Sequence, residues 1–356
     1  MAAGLHRTEP GFRKPFDQVA EIARRTEGLD LYGALFGPDP ASAASLEQPS
    51  LALPALFAVE YALAQLWLER GLRPTALIGH SLGEYTAACV AGVFSVADAV
   101  GLVALRGRLF EEIPPGAMAS VALGPEALAA TLGDLEGQEL SVAAVNRTDS
   151  TVIAGPTAAV DEAERRLAEL GVDQQRLHIS VAAHSHLVDP ILDRFGEHLA
   201  GLPMAPPSIP FVSNLTGAWA RADEVTTADY WTRHLRHTVR LVDGLGVVLG
   251  RGPGALIEVG PGQALTGYAL SHPGHGDGHE IVPSLPHPAD PTADDAYFLN
   301  SVGRLWRRGL RIDLGSLSSG EERRRIPLPT YPFARTRHWV EPAAPSANPS
   351  PPPGPP

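Results

Sequence analysis

Residues 75–88 read TALIGHSLGEYTAA, and the step they encode constrains this chain more than any other stretch. A short apolar run of strand length gives way, at a serine set between glycines, to LGEYTAACVAGVF, whose alanine-rich composition favours a helix. A Gly-x-Ser-x-Gly turn between strand and helix holds its serine on a strained bend with the hydroxyl projecting, and the N-terminus of the next helix favours negative charge developing nearby. Ser81 therefore reads as a nucleophile, with a polar residue of an ordinary tight turn as the alternative.

The flanking sequence supplies a matching scaffold. With 356 residues, 44% of them hydrophobic, the chain can build a large α/β domain and a smaller companion. Residues 51–68, LALPALFAVEYALAQLWL, carry apolar residues at helical spacing and stop at Gly71, which predicts a core helix. Ser95 opens SVADAVGLVALRGRLF with an acidic residue three positions on, the start of another helix. Residues 117–185 differ in grain: strands at MASVAL, LSVAAVN, STVIAGP and QRLHISVA alternate with helices at PEALAATLGDL and AAVDEAERRLAELG. The order βαββαβ is that of a ferredoxin-like module, inserted between two longer α/β stretches. Glycine, proline, histidine and aspartate accumulate from 274 to 291, predicting a loop, and the proline-rich tail after Pro342 is expected to be extended and mobile.

Composition excludes several functions. A single cysteine, Cys89, leaves neither an internal disulfide nor a cysteine-built metal site. No apolar span of 18 residues and no signal-like start are apparent, so a cytoplasmic, reducing setting without a membrane is expected. A formal charge of −12 argues against nucleic acid, and the arginine run at 323–325 reads as a solvated face. His272, His275 and His279 share a Gly/Pro-rich segment with no acidic or cysteine cluster to complete a metal shell, so no metal is assigned.

A serine nucleophile needs a base, and spacing alone does not choose among 13 histidines. Arg106 is more telling. Leu102, Val103, Leu109 and Phe110 flank it at i−4, i−3, i+3 and i+4, so its own helix places it on an apolar stripe, whereas Arg108 has Glu111 and Glu112 beside it as surface partners. A buried guanidinium cannot deprotonate and requires an anion. That anion is either an internal carboxylate or one carried by a ligand.

The stretch GHSLGEYTAACVAGVFSVADAVGLVALRGRLF, with QPSLALPALFAVEYALAQLW before it and AAHSHLVDPIL after it, resembles the acyltransferase domains of modular polyketide synthases, relatives of malonyl-CoA:acyl-carrier-protein transacylase. The likeness runs from about residue 5 to 270. It implies an α/β fold with a hydrolase-like parallel-sheet core at 1–116 and 186–273, the ferredoxin-like subdomain at 117–185, a post-acyltransferase linker region at 274–341 and a Pro-rich disordered tail at 342–356. Within the linker region, LPTYPFARTRHWVE at 328–341 resembles the segment that wraps back towards a ketosynthase.

The resemblance also assigns roles. It selects His184 as the base over its neighbour His186, and implies a Ser-His dyad oriented by a backbone carbonyl without a third acid; Asp189 is left as a helix cap. It gives Arg106 the free carboxylate of a malonyl-type acyl group, the backbone N–H of Leu82 the oxyanion, and Asn146 a place near the acyl pocket, with weaker claims to substrate binding for His80 and Gln263. The implied substrates are an acyl-CoA and the phosphopantetheine arm of an acyl carrier protein, with no permanently bound cofactor. Ketosynthase and other synthase domains are the implied partners.

Two departures accompany the likeness. Family members usually begin with a strand ending in a Gly-Gln-Gly-x-Gln turn that supplies a second oxyanion donor, and this chain opens MAAGLHRTEPGF, which resembles the segment immediately downstream of that turn. A late start, a fragment and an impaired chain are the three readings of that missing strand. Specificity is the second matter: Val181-Ala182-Ala183 before His184 fits neither the malonyl pattern His-Ala-Phe nor the methylmalonyl pattern Tyr-Ala-Ser, while Leu82 leans towards malonyl. Leu53 also stands where many relatives carry glutamine. A serine thioesterase or esterase of α/β-hydrolase type, and a noncatalytic synthase segment, are the rival readings.

Overall fold

The computed structural model describes residues 1–37, 46–177, 179, 181–318, 326–334, 336–341 and 354. Residues Met1–Leu317 form one compact unit. Its centre is the long helix Pro49–Glu69, which packs against Pro10–Glu27 on one side and Val96–Glu112 on the other. Twenty-one residues and a mean hydropathy of 1.6 over its best window make this helix long and apolar enough to cross a membrane, contrary to the expectation that no such span exists. Its Phe57, Val59, Leu63, Leu66 and Trp67 are instead buried among neighbouring helices, the environment of a core helix. Pro49 at the first helical turn lacks only an N–H that would have no partner there anyway.

The α/β core is built from short parallel pairs. Strand β1 (Leu77–Ile78) pairs with β6 (Phe211–Val212), and β7 (Gly254–Glu258) pairs with β8 (His279–Pro283). Between β1 and β6 in sequence lies the inserted four-stranded antiparallel sheet of β2 (Gly116–Val121), β3 (Ser141–Arg147), β4 (Ser150–Pro156) and β5 (Gln174–Arg176), in spatial order β3-β4-β2-β5. Helices Pro125–Leu132 and Thr157–Glu169 cover one face through Leu128, Leu132, Val160 and Leu167, giving the ferredoxin-like order expected from the sequence. The subdomain is fastened to the core where Val239 exchanges backbone hydrogen bonds with Ala143 and Val145 of β3.

Three boundaries differ from expectation. The segment 274–291, read as a loop, contains β8, because its apolar residues Ile281 and Val282 find a partner strand in β7. The helix Asp294–Arg307 packs Phe298 against Trp67 with ring centroids 4.6 Å apart, so the compact unit extends well past residue 273. The last strand of the subdomain is only three residues long, β5 ending at Arg176.

Residues 326–334 and 336–341 carry no helix or strand, and their apolar side chains, among them Tyr331, Phe333 and Trp339, are exposed. The tail expected to be disordered, 342–356, lies outside the described residues except Gly354, as does the arginine run at 323–325.

Candidate active site

Ser81 occupies the turn between β1 and the helix Leu82–Val90 with φ 51° and ψ −107°, a backbone conformation that a side-chain-bearing residue seldom takes unless its surroundings impose it. Gly79 permits the turn, since a Cβ there would stand 2.1 Å from the backbone carbon of Gly83. Gly83 has open space where its own Cβ would be, so only the first of the two glycines is sterically demanded.

Asn214 imposes the bend. Its Oδ1 accepts the Ser81 N–H at 2.7 Å and its Nδ2 donates to the Gly79 carbonyl at 2.8 Å, bridging both sides of the turn. The Asn214 N–H in turn donates to Glu84 at 2.7 Å, and Glu84 also accepts from the hydroxyl of Tyr230. Glu84, with no exposed surface, is thus held by hydrogen bonds from two other elements, as a buried carboxylate must be. The sequence gives little sign of Asn214; the only local signal is an Asn after the short apolar run IPFVS, a pattern equally suited to a turn.

Around the hydroxyl, the residues singled out from sequence converge. Ser81 Oγ lies 2.7 Å from His184 Nε2, and Arg106 Nη2 donates to the same oxygen at 2.8 Å. His184 Nδ1 is 2.9 Å from the carbonyl of His237, which fixes the proton on Nδ1 and leaves Nε2 to accept the serine proton. No carboxylate completes a triad among the described residues. Asp189, expected to cap the next helix, pairs instead with Arg236; that helix, Leu192–Ala200, starts from Ile191 without a side-chain cap, and Ser185 caps the turn at 186–191. His186, the neighbouring histidine, begins that turn.

Arg106 is 2% exposed and no described acidic side chain touches it; its charge instead faces the rings of Tyr85 and Phe110, each 5.2 Å from Cζ. Its Nε and Nη1 are buried without a hydrogen-bond partner. Burial pushes the guanidinium below its usual pKa. The same burial, followed by the charge of Arg106 and then by His234 and His80, holds His184 well below the ordinary histidine range, while the His237 carbonyl opposes the shift. His184 is therefore neutral and ready to take a proton.

A cavity of about 920 Å³ reaches this group. Ser81, His184, His80, Asn146 and Ala183 line it, whereas Arg106 reaches Ser81 from the side of its own helix. His80 Nε2 and Asn146 Oδ1 are 2.8 Å apart, and Asn146 also approaches the Tyr268 hydroxyl at 3.4 Å. Burial lowers the His80 pKa as well. Of the residues before His184, Ala183 faces the cavity and Ala182 is buried between the ferredoxin-like sheet and the α/β core, against Gly116, while Val181 is partly buried beside the large core. Leu82, buried, is the first residue of its helix, so its N–H has no intrahelical acceptor. Gln263 donates to the Tyr297 hydroxyl at 2.7 Å, and Leu53 is half-buried against the core. Ring nitrogens of His272 and His279 meet backbone carbonyls.

The chain has relatives in sequence and fold. The family model of the acyl transferase domain matches residues 1–299. A component of the phenolphthiocerol/phthiocerol polyketide synthase of Mycobacterium tuberculosis is 41% identical over 354 residues, 98% of this chain and 23% of that protein. The chain thus spans about a quarter of the length of that relative. Among solved structures, the acyl transferase domain of SpnD in complex with 2-(pent-4-yn-1-yl)malonyl aligns with a TM-score of 0.79 and 41% identity, over 87% of this chain and 73% of that one. A malonyl-transacylase solved with its type II polyketide synthase acyl-carrier protein aligns at 0.73 and 28% identity, over 85% of this chain and 94% of that one. With the inserted ferredoxin-like sheet and the serine turn in place, the chain belongs to the acyl transferase domain family, among the acyltransferases of modular polyketide synthases.

Proposed function

We propose that this chain moves a malonyl-type acyl group from CoA to the pantetheine thiol of an acyl carrier protein through an ester on Ser81, as a step of polyketide synthesis. The observation that carries the reading is the meeting of three groups at one oxygen: Ser81 Oγ, the neutral His184 Nε2 and a buried arginine with unsatisfied N–H groups.

In the first half-reaction His184 takes the Ser81 proton at Nε2 as Oγ attacks the thioester carbon. The Leu82 N–H, free at the helix start, stabilises the oxyanion; the Ser81 N–H is already committed to Asn214. As the tetrahedral species collapses, the carbon–sulfur bond breaks and the CoA sulfur takes the proton back from His184. In the second half the carrier's thiol gives its proton to His184 and attacks the ester, the carbon–oxygen bond breaks and Ser81 is reprotonated. An acyl group on Ser81 Oγ is necessarily adjacent to Arg106, which supplies the cation for its distal carboxylate and distinguishes dicarboxylic from simple acyl groups. His80, Asn146 and Ala183 border the acyl group; the small Ala183 leaves room for an α-substituent, and Leu82 leans the choice towards malonyl.

Incubation with malonyl-CoA followed by intact-mass spectrometry tests the reading. A malonyl adduct that disappears in Ser81→Ala, and passes to an added holo carrier protein, is expected. Release of free malonate with no carrier loading would instead make the chain a thioesterase, and no adduct at all would leave it a noncatalytic segment.

A further inference from the structure

The wall of the cavity between the ferredoxin-like sheet and the helix Ala264–Ser271 is mostly hydrocarbon. Met118, Ala143, Ala144 and Val152 of the sheet pack in one apolar cluster with Leu265 and Ala269 of the helix. Tyr268, half-buried on that helix, brings a hydroxyl into this wall. The helix follows β7 of the α/β core, whereas Asn146, the hydrogen-bond partner of Tyr268, stands on β3 of the insertion. Both parts of the fold thus meet at this hydroxyl.

The polar groups leading to it form a row that starts at the serine turn. His80, the residue before Ser81, places Nε2 2.8 Å from Asn146 Oδ1, and an amide oxygen only accepts, so His80 donates there. The other end of the carboxamide, Nδ2, donates to the Tyr268 hydroxyl at 3.4 Å, a long contact. Tyr268 is the acceptor in that contact, and no described residue takes the proton it carries. Burial raises the pKa of the phenol above the ordinary tyrosine value, against the smaller effects of Asn146 and Arg147, so the proton stays in place. An unspent O–H donor therefore stands in an apolar wall, one hydrogen bond beyond Asn146.

The course of a bound thioester decides what meets that donor. With the acyl carbonyl at Ser81 and the distal carboxylate at Arg106, which does not line the cavity, the sulfur and all that follows it run along the cavity. After the sulfur of CoA or of a carrier come two methylenes, which suit hydrocarbon, and then an amide. The carbonyl of that amide gives up hydrogen bonds to water on entering and needs a donor in the wall.

Given the transfer proposed above, on which this assignment rests, we infer that Tyr268 is a substrate-binding residue whose hydroxyl donates to the first amide carbonyl of the pantetheine arm. CoA and an acyl carrier protein share that arm, so Tyr268 serves both half-reactions. Its role is distinct from that of Asn146, which borders the acyl group itself.

The test compares the unaltered chain with Tyr268→Phe, which removes one oxygen and keeps the ring. Each is loaded from the malonyl thioesters of N-acetylcysteamine and of pentanethiol, which match in length and differ in the amide, and the second-order rate of Ser81 acylation is followed by intact mass. The substitution is expected to slow loading from the N-acetylcysteamine ester about 3- to 10-fold, the effect of one neutral hydrogen bond, and to leave the pentyl ester within about twofold. The malonyl thioester of 2-mercaptoethyl acetate keeps the carbonyl without the N–H and should lose as much as the amide; its escape would overturn the assignment of Tyr268 as the donor. An equal loss for all three esters, the mark of a purely structural tyrosine or of a displaced Asn146, would overturn the inference too, as would no loss for any. If the unaltered chain loads Ser81 from none of them, the transfer reading fails and the role of Tyr268 falls with it.

Discussion

Arg106→Met distinguishes a cation waiting for a substrate carboxylate from one that serves the fold. Hydrogen bonds between charged groups contribute about 1.5–3 kcal/mol each, so losing one to the acyl carboxylate lowers the rate of malonyl loading on Ser81 roughly 10- to 150-fold. Acetyl-CoA has no such carboxylate and escapes that loss, so the ratio of malonyl to acetyl loading collapses. Stability should move the other way or stay level. With Nε and Nη1 buried and unsatisfied, and no acidic partner to strand, a hydrophobe of similar volume costs little and can stabilise by about 1–4 kcal/mol. A buried arginine held by an internal acid would instead lose about 3–5 kcal/mol on replacement.

The same substitution has a signature in pH. Burial is the first cause of the depressed His184 pKa and the charge of Arg106 the second. Removing that charge moves the acid limb of acetyl loading upward, although burial keeps it below about 6.5. Competition between malonyl- and acetyl-CoA, followed by intact mass across pH, with chemical melts in parallel, measures all three effects. Equal losses for both acyl groups, or a melt lowered by several kcal/mol, would refute the assignment of Arg106 to the substrate.

Other perturbations rest on the same geometry. Gly79→Ala drives a Cβ into the Gly83 backbone and should cost several kcal/mol in a urea melt, whereas Gly83→Ala, with open space at its Cβ in a helix, should be neutral or gain about 0.5–1 kcal/mol. Asn214→Ala frees the Ser81 N–H and the Gly79 carbonyl; a loss of about 1–3 kcal/mol in stability, together with slower malonyl loading at saturating CoA ester, is expected. Burial, with Glu258 adding to it against the Thr86 hydrogen bond, pushes the Glu60 carboxyl up to about 7, so the folded chain holds a proton there that the unfolded chain has released. Stability from this group therefore falls as pH rises from the ordinary carboxyl value towards 7, and urea melts of Glu60→Gln should lack that slope.

What the sequence discloses depends on how local its causes are. The helix Pro49–Glu69 and the βαββαβ order are legible because apolar periodicity and turn residues act within a few positions of one another. The serine turn is legible for the same reason, since the short Gly79-to-Gly83 approach is made within five residues. β8 is hidden: its residues look like a loop segment until β7, more than 20 positions earlier, gives Ile281 and Val282 an edge to pair with.

The grouping around Ser81 divides along the same line, and the division bears on the proposed function. Ser81 and the burial of Arg106 arise from their own helices, but the partner of each comes from elsewhere: His184 from 103 positions away, its orienting carbonyl from His237, and the clamp on the turn from Asn214. Those groups meet because the subdomain insertion ends just before His184 while Thr238 and Val239 are bonded to β3, which carries the His237 carbonyl to the imidazole. The ferredoxin-like insertion is thus one wall of the cavity and also the frame that sets the tautomer of His184. A change that loosens Val239 from β3 should slow the loading of Ser81 without touching any group at the reacting oxygen.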